Sequence, residues 1–177
     1  MRWTIVAGLV LAAAPLHAQP GGAERLTAPP LPGFVEGFAA TNTERSIREE
    51  VPTGETVEAW RRMVTTQRFT GLAARGSPLV YAGNILSHVP KSCPGARTSK
   101  PVRLTVSGRP GVQFEVDCPG SARAQRERFV MLAIAGQSDM HVKQVAWRGT
   151  VTAKDLEWGH DFLAKVALCG PGATCRR

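Results

Sequence analysis

The 177-residue sequence lacks most of the patterns by which catalytic and cofactor-binding proteins are recognised. It contains no H-E-x-x-H pair for zinc, no D-x-D-x-D-G loop for calcium and no nucleotide-binding signature. The segment from Gly136 to Met140 (GQSDM) superficially matches a nucleophile elbow, but it lacks the second glycine and precedes a strand pattern instead of a helix. We therefore expect no cofactor and no metal, and we interpret this segment as a hairpin turn.

Long hydrophobic runs are also scarce, and the one present lies at the beginning of the chain. Ile5 to Ala14 is apolar over about ten residues, which suits the core of a signal peptide and is too short to span a bilayer. Met1-Arg2 provides a positive start, and Ala18 is a small residue at the expected cut. The pattern predicts a signal peptide over residues 1–18, cleavage before Gln19 and export to the periplasm. With no second long run and no cysteine at the cut, neither a transmembrane nor a lipid anchor is expected.

The sequence has no compact run of lysines and arginines, although its formal net charge is +8. Residues 19–58 contain three arginines and seven glutamates, whereas residues 59–177 contain 18 Lys and Arg against seven Asp and Glu. This asymmetry suggests an acidic partner or an anionic surface. Scattered arginines more often belong to an ordinary solvated face, and we favour that interpretation because no compact Lys/Arg run marks a patch. Nucleic acid is not an expected partner of an exported protein.

The four cysteines are even in number and all follow the predicted cleavage site. Export therefore favours disulfides, with three pairings to choose from. Cys93 and Cys118 each precede a proline, and Cys169 and Cys175 flank a turn-forming segment, so we favour Cys93–Cys118 and Cys169–Cys175. A zinc site is disfavoured because paired C-x₂₋₄-C units are missing.

The first half of the mature chain predicts a leader followed by strands and a helix. Residues 19–33 are rich in Pro, Gly and Ala, which predicts a flexible leader, with a single domain over residues 34–177. Ser77-Pro78 is typical of a helix start. The elements expected here are strands at 34–40, 46–51 and 63–69, a short helical turn at 56–60, and a helix from 78 that ends before Pro90.

The second half predicts a sheet and a final helix. Alternating apolar residues indicate strands at 102–106 and 112–118, and the continuous apolar run 129–135 indicates a strand covered on both faces. A strand from Met140 to Trp147 and a helix from Thr152 to about Leu168 complete the chain. The helix has a capping-box pattern, and its Gly159 permits a close approach to the sheet. The fold class is therefore α+β: about six mostly antiparallel strands packed by a middle and a C-terminal helix.

Three tryptophans and two adjacent arginines are the candidate binding residues: Trp60, Arg61, Arg62, Trp147 and Trp158. The tryptophans could line an apolar cleft, but their large rings more often anchor a core. The arginines could contact a ligand, but a neighbouring cluster of glutamates offers them intramolecular ion pairs. Both alternatives stay open for each group.

Four segments carry a resemblance to known sequences: residues 50–60 (EVPTGETVEAW), residues 63–67 (MVTTQ), the Cys93-Pro94-Gly95 step and the terminal helix before Cys169. In these segments the chain resembles a family of uncharacterised exported proteobacterial proteins. It implies export but no activity. The order of elements is also similar to the Mog1/PsbP-like fold of DcrB-type envelope proteins.

Three functions are compatible with these features. The leading hypothesis is a non-catalytic periplasmic module that binds an envelope protein or an anionic ligand, or supports an envelope assembly. The second is a hydrolase of an envelope polymer, which requires at least two of Glu55, His141, Asp155 and His160 to converge in one cleft. A metal site from His141, His160 and Asp161 is disfavoured because the spacing matches no known pattern. The third is an electrostatic adaptor that uses the basic half against anionic envelope components.

Overall fold

The structure is a computed structural model that describes residues 24–121 and 125–170. The predicted signal peptide and Cys175 lie outside these residues. The described chain has the predicted α+β class, with an eight-stranded antiparallel sheet, a separate two-stranded ribbon and two helices. The described elements are β1 (Arg25–Thr27), β2 (Phe34–Thr41), β3 (Arg45–Pro52), β4 (Arg62–Phe69), α1 (Pro78–Ser92), β5 (Arg97–Thr98), β6 (Val102–Val106), β7 (Arg109–Cys118), β8 (Glu127–Ala135), β9 (Met140–Arg148), α2 (Ala153–Ala164) and β10 (Ala167–Cys169).

The large sheet has the strand order β2-β3-β4-β9-β8-β7-β5, and β6 also pairs with β7. Strands β8 and β9 lie in the middle and are almost entirely buried, as the apolar run at 129–135 predicts. One face packs against α1 through a cluster that includes Phe114, Met131 and Val142. The other face packs against α2 through a cluster that includes Leu132, Trp147 and Leu163. Each helix therefore covers one face of the same sheet.

The loop between β3 and β4 differs from the prediction of a short helical turn at residues 56–60. Thr56 and Ala59 instead exchange backbone hydrogen bonds of 3.2 and 3.1 Å, which close a small loop. The helical pattern is too short here to overcome the cost of nucleating a helix. The loop brings Trp60 back onto the α1 face, where it is 6% exposed beside Met63 and Ala146.

Helix α1 begins as predicted and ends later than predicted. The Ser77 hydroxyl accepts a hydrogen bond from the Val80 amide at 3.3 Å, and Pro78 is the first helical residue. The prediction of an end before Pro90 is wrong, because the helix includes Pro90 and stops at Ser92. Pro90 has no amide hydrogen to donate to the carbonyl four residues earlier, and the helix continues for only two residues after it.

Helix α2 has the predicted capping box, in which Thr152 and Asp155 bond each other's backbone amides. The helix ends at Ala164, not near Leu168 as predicted, and β10 follows it. The apolar residues after the helix are buried in this short strand, and a strand can be as apolar as a helix face.

The flexible leader predicted for residues 19–33 is wrong for its described part. Arg25–Thr27 forms β1 and pairs with β10, and Leu26 and Leu31 pack against the α2-side core. The Glu24 carboxylate accepts hydrogen bonds from the Gln137 amide and from Arg109 Nη2 at 2.9 Å. A partner about 140 positions away in the chain cannot be inferred from local composition, which is why the proline content misleads here.

The predicted Cys93–Cys118 disulfide is present, with the two Cα atoms 5.9 Å apart. It joins the C-terminal end of α1 to the end of β7, as the alternation of β7 predicts. The second predicted bond involves Cys175, which lies outside the described residues, so Cys169–Cys175 stays a prediction.

We expect Gly159→Ala to lower the free energy of unfolding by about 1–3 kcal/mol, because the new Cβ overpacks a full site. A Cβ at this position would lie 2.9 Å from Cζ2 of Trp147. Gly83→Ala is the matched control, because Gly83 is an exposed glycine in α1 with no neighbour near its Cβ position. The control should be stabilised by about 0.5–1 kcal/mol. Urea unfolding measures both, and equal midpoints for Gly159→Ala and the parent would contradict the packing argument.

Replacing Cys93 and Cys118 together by alanine should lower the free energy of unfolding by about 2–4 kcal/mol, because the unfolded chain loses its cross-link. Urea unfolding of the double variant against the oxidised parent tests this. Intact mass after alkylation provides the control for oxidation state. Four alkylated thiols in freshly isolated parent protein would refute the disulfides.

Candidate functional site

The predicted binding residues lie around an open cleft at one end of the large sheet. The cleft has a volume of about 750 Å³ and lies where β3 ends, β4 begins and β9 ends. Its lining includes four of the five candidates, namely Trp60, Arg61, Arg62 and Trp147. The fifth, Trp158, lines a neighbouring cleft of about 270 Å³, and Arg62 lines both. We call the larger one, lined by these four residues together with Arg148, Glu55 and Asp155, the arginine–tryptophan cleft.

The pairing of β4 with β9 places Arg62 directly opposite Trp147. Residues opposite one another in an antiparallel pair share one face of the sheet. Arg62 donates from Nη2 to Asp155 Oδ1 at 2.6 Å, and its guanidinium lies 4.4 Å from the centre of the Trp158 ring. Arg62 therefore connects the start of β4 to helix α2 through an ion pair and a cation–π contact.

Trp60 reaches the cleft from the other face of the sheet. The guanidinium of Arg148 lies 4.1 Å from the centre of the Trp60 ring, and Arg148 also donates to the Glu58 carbonyl at 3.1 Å. Glu55 accepts hydrogen bonds from both the backbone amide and the Nε of Arg61, at 2.7 and 2.8 Å. These bonds hold the loop so that the Arg61 side chain, which is 88% exposed, projects into solvent.

Trp147 has a different role from the other tryptophans. It is 3% exposed and belongs to the α2-side core, where its ring packs on Gly159. Its Nε1 is buried and has no hydrogen-bond partner among the described residues. The interpretation of tryptophans as core anchors therefore holds for Trp147, while Trp60 and Trp158 combine burial with a stacked arginine.

The two carboxylates of the cleft are held in the ionised form. Burial acts to raise the pKa of Glu55, but hydrogen bonds from Arg61 outweigh it and leave the pKa lowered. Hydrogen bonds from Thr152, followed by the contact with Arg62, lower the pKa of Asp155. Three arginines and two carboxylates therefore give the cleft a small net positive charge.

The fold brings together two of the four residues named for a hydrolase, which is the convergence in one cleft that this hypothesis requires. Glu55 and Asp155 line the arginine–tryptophan cleft together, whereas the two histidines lie elsewhere. His160 contacts Glu115 at 3.0 Å and Gln113 at 2.9 Å, and buried His141 lies at the opposite end of β9. A general acid must carry a proton at the working pH. The pKa values of both cleft carboxylates are lowered, so neither has the raised pKa that suits a general acid at neutral pH.

The imagined metal site from His141, His160 and Asp161 does not form. Within residues 24–121 and 125–170, no three His, Cys, Asp or Glu side chains come together as metal ligands. Sequence reasoning also missed a residue of the cleft, Arg148. Arg148 could have been identified from the sequence, because it directly follows Trp147 at the end of a predicted strand.

No helix in the described part of the chain is long and apolar enough to cross a membrane. No protein-family model matches the sequence, and no curated protein matches it.

Comparison with solved structures shows the fold. The Saccharomyces cerevisiae Ran-binding protein Mog1p is similar with a TM-score of 0.51 and 12% identity, over 80% of this chain and 88% of that chain. PA94 from Pseudomonas aeruginosa, a protein of unknown function, is similar with a TM-score of 0.50 and 13% identity, over 88% of this chain and 99% of that chain. The predicted similarity to the Mog1/PsbP-like fold is thereby confirmed, and the chain has the α+β fold of Mog1p.

Proposed function

We propose that this protein is exported to the periplasm and binds an acidic protein partner through the arginine–tryptophan cleft, without catalysing a reaction. The observation that carries the proposal is that two arginines stacked on tryptophans line the same cleft: Arg148, which stacks on Trp60, and Arg62, which stacks on Trp158. Tryptophan and arginine are the residue types most enriched in the energetic centres of protein interfaces.

The chemistry of the cleft supports an acidic partner. Arginine offers a planar set of donors that binds a carboxylate with two parallel hydrogen bonds. The Arg61 side chain is largely in solvent and uses its Nε for Glu55, so its terminal nitrogens face outward from the loop. A partner carboxylate at this position would offset the small net positive charge of the cleft.

Two further observations support export and a protein partner. The N-terminal sequence has the pattern of a signal peptide, and the Cys93–Cys118 bond suits an oxidising compartment. Mog1p is described as a Ran-binding protein, so this fold is able to present a protein-binding surface.

Site-specific photo-crosslinking in intact cells tests the proposal. A photoreactive amino acid in place of Arg61 should capture one discrete partner, and the same substitution at exposed Arg103 on β6 should not. Identical adducts from both positions, or none from position 61, would overturn the proposed interface.

Mass spectrometry of the mature protein from the periplasmic fraction should show Gln19 at the N terminus.

Once captured, the partner allows a quantitative test with purified proteins. Arg148→Ala should weaken binding about tenfold or more, since it removes the cation stacked on Trp60. Arg103→Ala should change it less than about twofold, as an exposed residue outside the contact. The affinity should also fall as salt rises, because exposed charges are screened.

A further inference from the structure

A separate cavity of about 410 Å³ lies on the α2 side of the sheet, beneath the N-terminal segment. One wall is the segment from Arg25 to Leu31. The opposite wall contains Arg48 and Glu50 from β3, Thr66 from β4 and Lys143 from β9. No residue of this lining belongs to the arginine–tryptophan cleft. We call it the Lys143 cavity, and its volume lies within the range of small-molecule sites.

Lys143 is a buried charge in the middle of the sheet. It is 4% exposed, and its Nζ donates to Thr66 Oγ1 at 2.6 Å and lies 3.6 Å from Glu50 Oε2. The ring of Phe162 lies 5.6 Å away. Burial lowers the pKa of Lys143 to about 8, which still leaves the amine mostly charged at neutral pH. An ammonium has three donors, and within residues 24–121 and 125–170 these polar contacts use two.

The charges around the cavity do not balance. Three cations line it, Arg25, Arg48 and Lys143, against the single carboxylate of Glu50. Arg25 is exposed and the Arg48 side chain is 52% exposed, so the buried cation is Lys143. That carboxylate is shared, because Arg48 Nη2 lies 3.1 Å from it. Burying a charge is costly unless it is paired. An anion in the cavity would therefore offset an existing excess of positive charge.

The wall contributed by the N-terminal segment has a different character. Between Arg25 and Leu31 it presents Leu26, Thr27, Ala28, Pro29 and Pro30. The Thr27 hydroxyl, the polar group among them, donates to the Ala167 carbonyl. The prolines have no amide hydrogen to donate. This wall therefore suits a hydrocarbon, while the opposite wall suits an acid group.

We propose that the Lys143 cavity binds a small aliphatic carboxylate. Its acid group lies beside Lys143 Nζ and the Arg48 guanidinium, which Glu50 Oε2 already bridges, and its hydrocarbon chain lies against the segment from Leu26 to Leu31. This site is independent of the proposed partner interface, and its ligand is recognised by one negative charge attached to an apolar body.

Octanoate is a suitable probe for calorimetric titration of the full mature protein. We expect saturable binding, with acetate and octanol each binding at least about tenfold more weakly, because each lacks one of the two recognised parts. Lys143→Met keeps the side-chain volume, leaves Glu50 paired with Arg48, and should weaken octanoate binding about tenfold or more. Lys154→Met is the matched control at an exposed lysine on α2 and should bind octanoate like the parent.

Amide NMR shifts of the unmutated protein provide a measurement that does not depend on a variant folding. Octanoate should shift the amides of residues 25–31 and of Thr66 and Lys143. Equal affinity for octanoate and octanol, shifts confined to other residues, or unchanged affinity in a folded Lys143→Met variant would each overturn the proposal. Arg148→Ala should leave octanoate binding unchanged, because Arg148 does not line the Lys143 cavity. The octanoate experiment therefore tests the cavity separately from the partner interface.

Discussion

The contact between the Trp147 ring and Gly159 sets how closely α2 approaches the sheet. Any side chain larger than hydrogen at position 159 would meet the ring. The close approach places Asp155 and Trp158, one turn apart along α2, beside Arg62 at the start of β4. The ion pair and the stacked ring of the candidate site therefore depend on a packing contact in the core. A site that is positioned by core packing suits recognition by preformed geometry.

Strand β9 connects the two regions to which we assign ligands. It pairs with β4 on one side and β8 on the other, so both of its edges are bonded. Because side chains alternate between faces, Lys143 and Trp147 project to the same side as α2. A lysine there is costly, and Glu50 and Thr66 reduce the cost only in part. An apolar residue at position 143 would serve folding without the cost of desolvating a charge. For this reason we assign a ligand to Lys143.

Sequence patterns predict the elements whose signals are local. Alternation finds β7, a continuous apolar run finds β8, and the capping box finds the start of α2. The disulfide follows because alternation places Cys118 on the α1 face. The pairing of β1 with β10 could not be predicted, because its two short strands carry no periodicity and gain their stability only from each other and from the core beneath. The late end of α1 and the loop at residues 56–60 were missed where tertiary packing overrides weak local preference.

The candidate site shows the same division between local and long-range information. Trp60, Arg61 and Arg62 are consecutive, so any folded arrangement keeps them close, and sequence alone can select them. Their meeting with Trp147 depends on the register of β4 against β9, and a slip of one residue would turn Arg62 to the opposite face. The arginine and tryptophan types thus predict the chemistry of the site, while the register of β4 against β9 determines whether these side chains come together. The stacked arginines at Trp60 and Trp158 are chemically similar but belong to opposite faces of the sheet, and they meet because Arg62 and Arg148 both line the cleft at the end of the sheet.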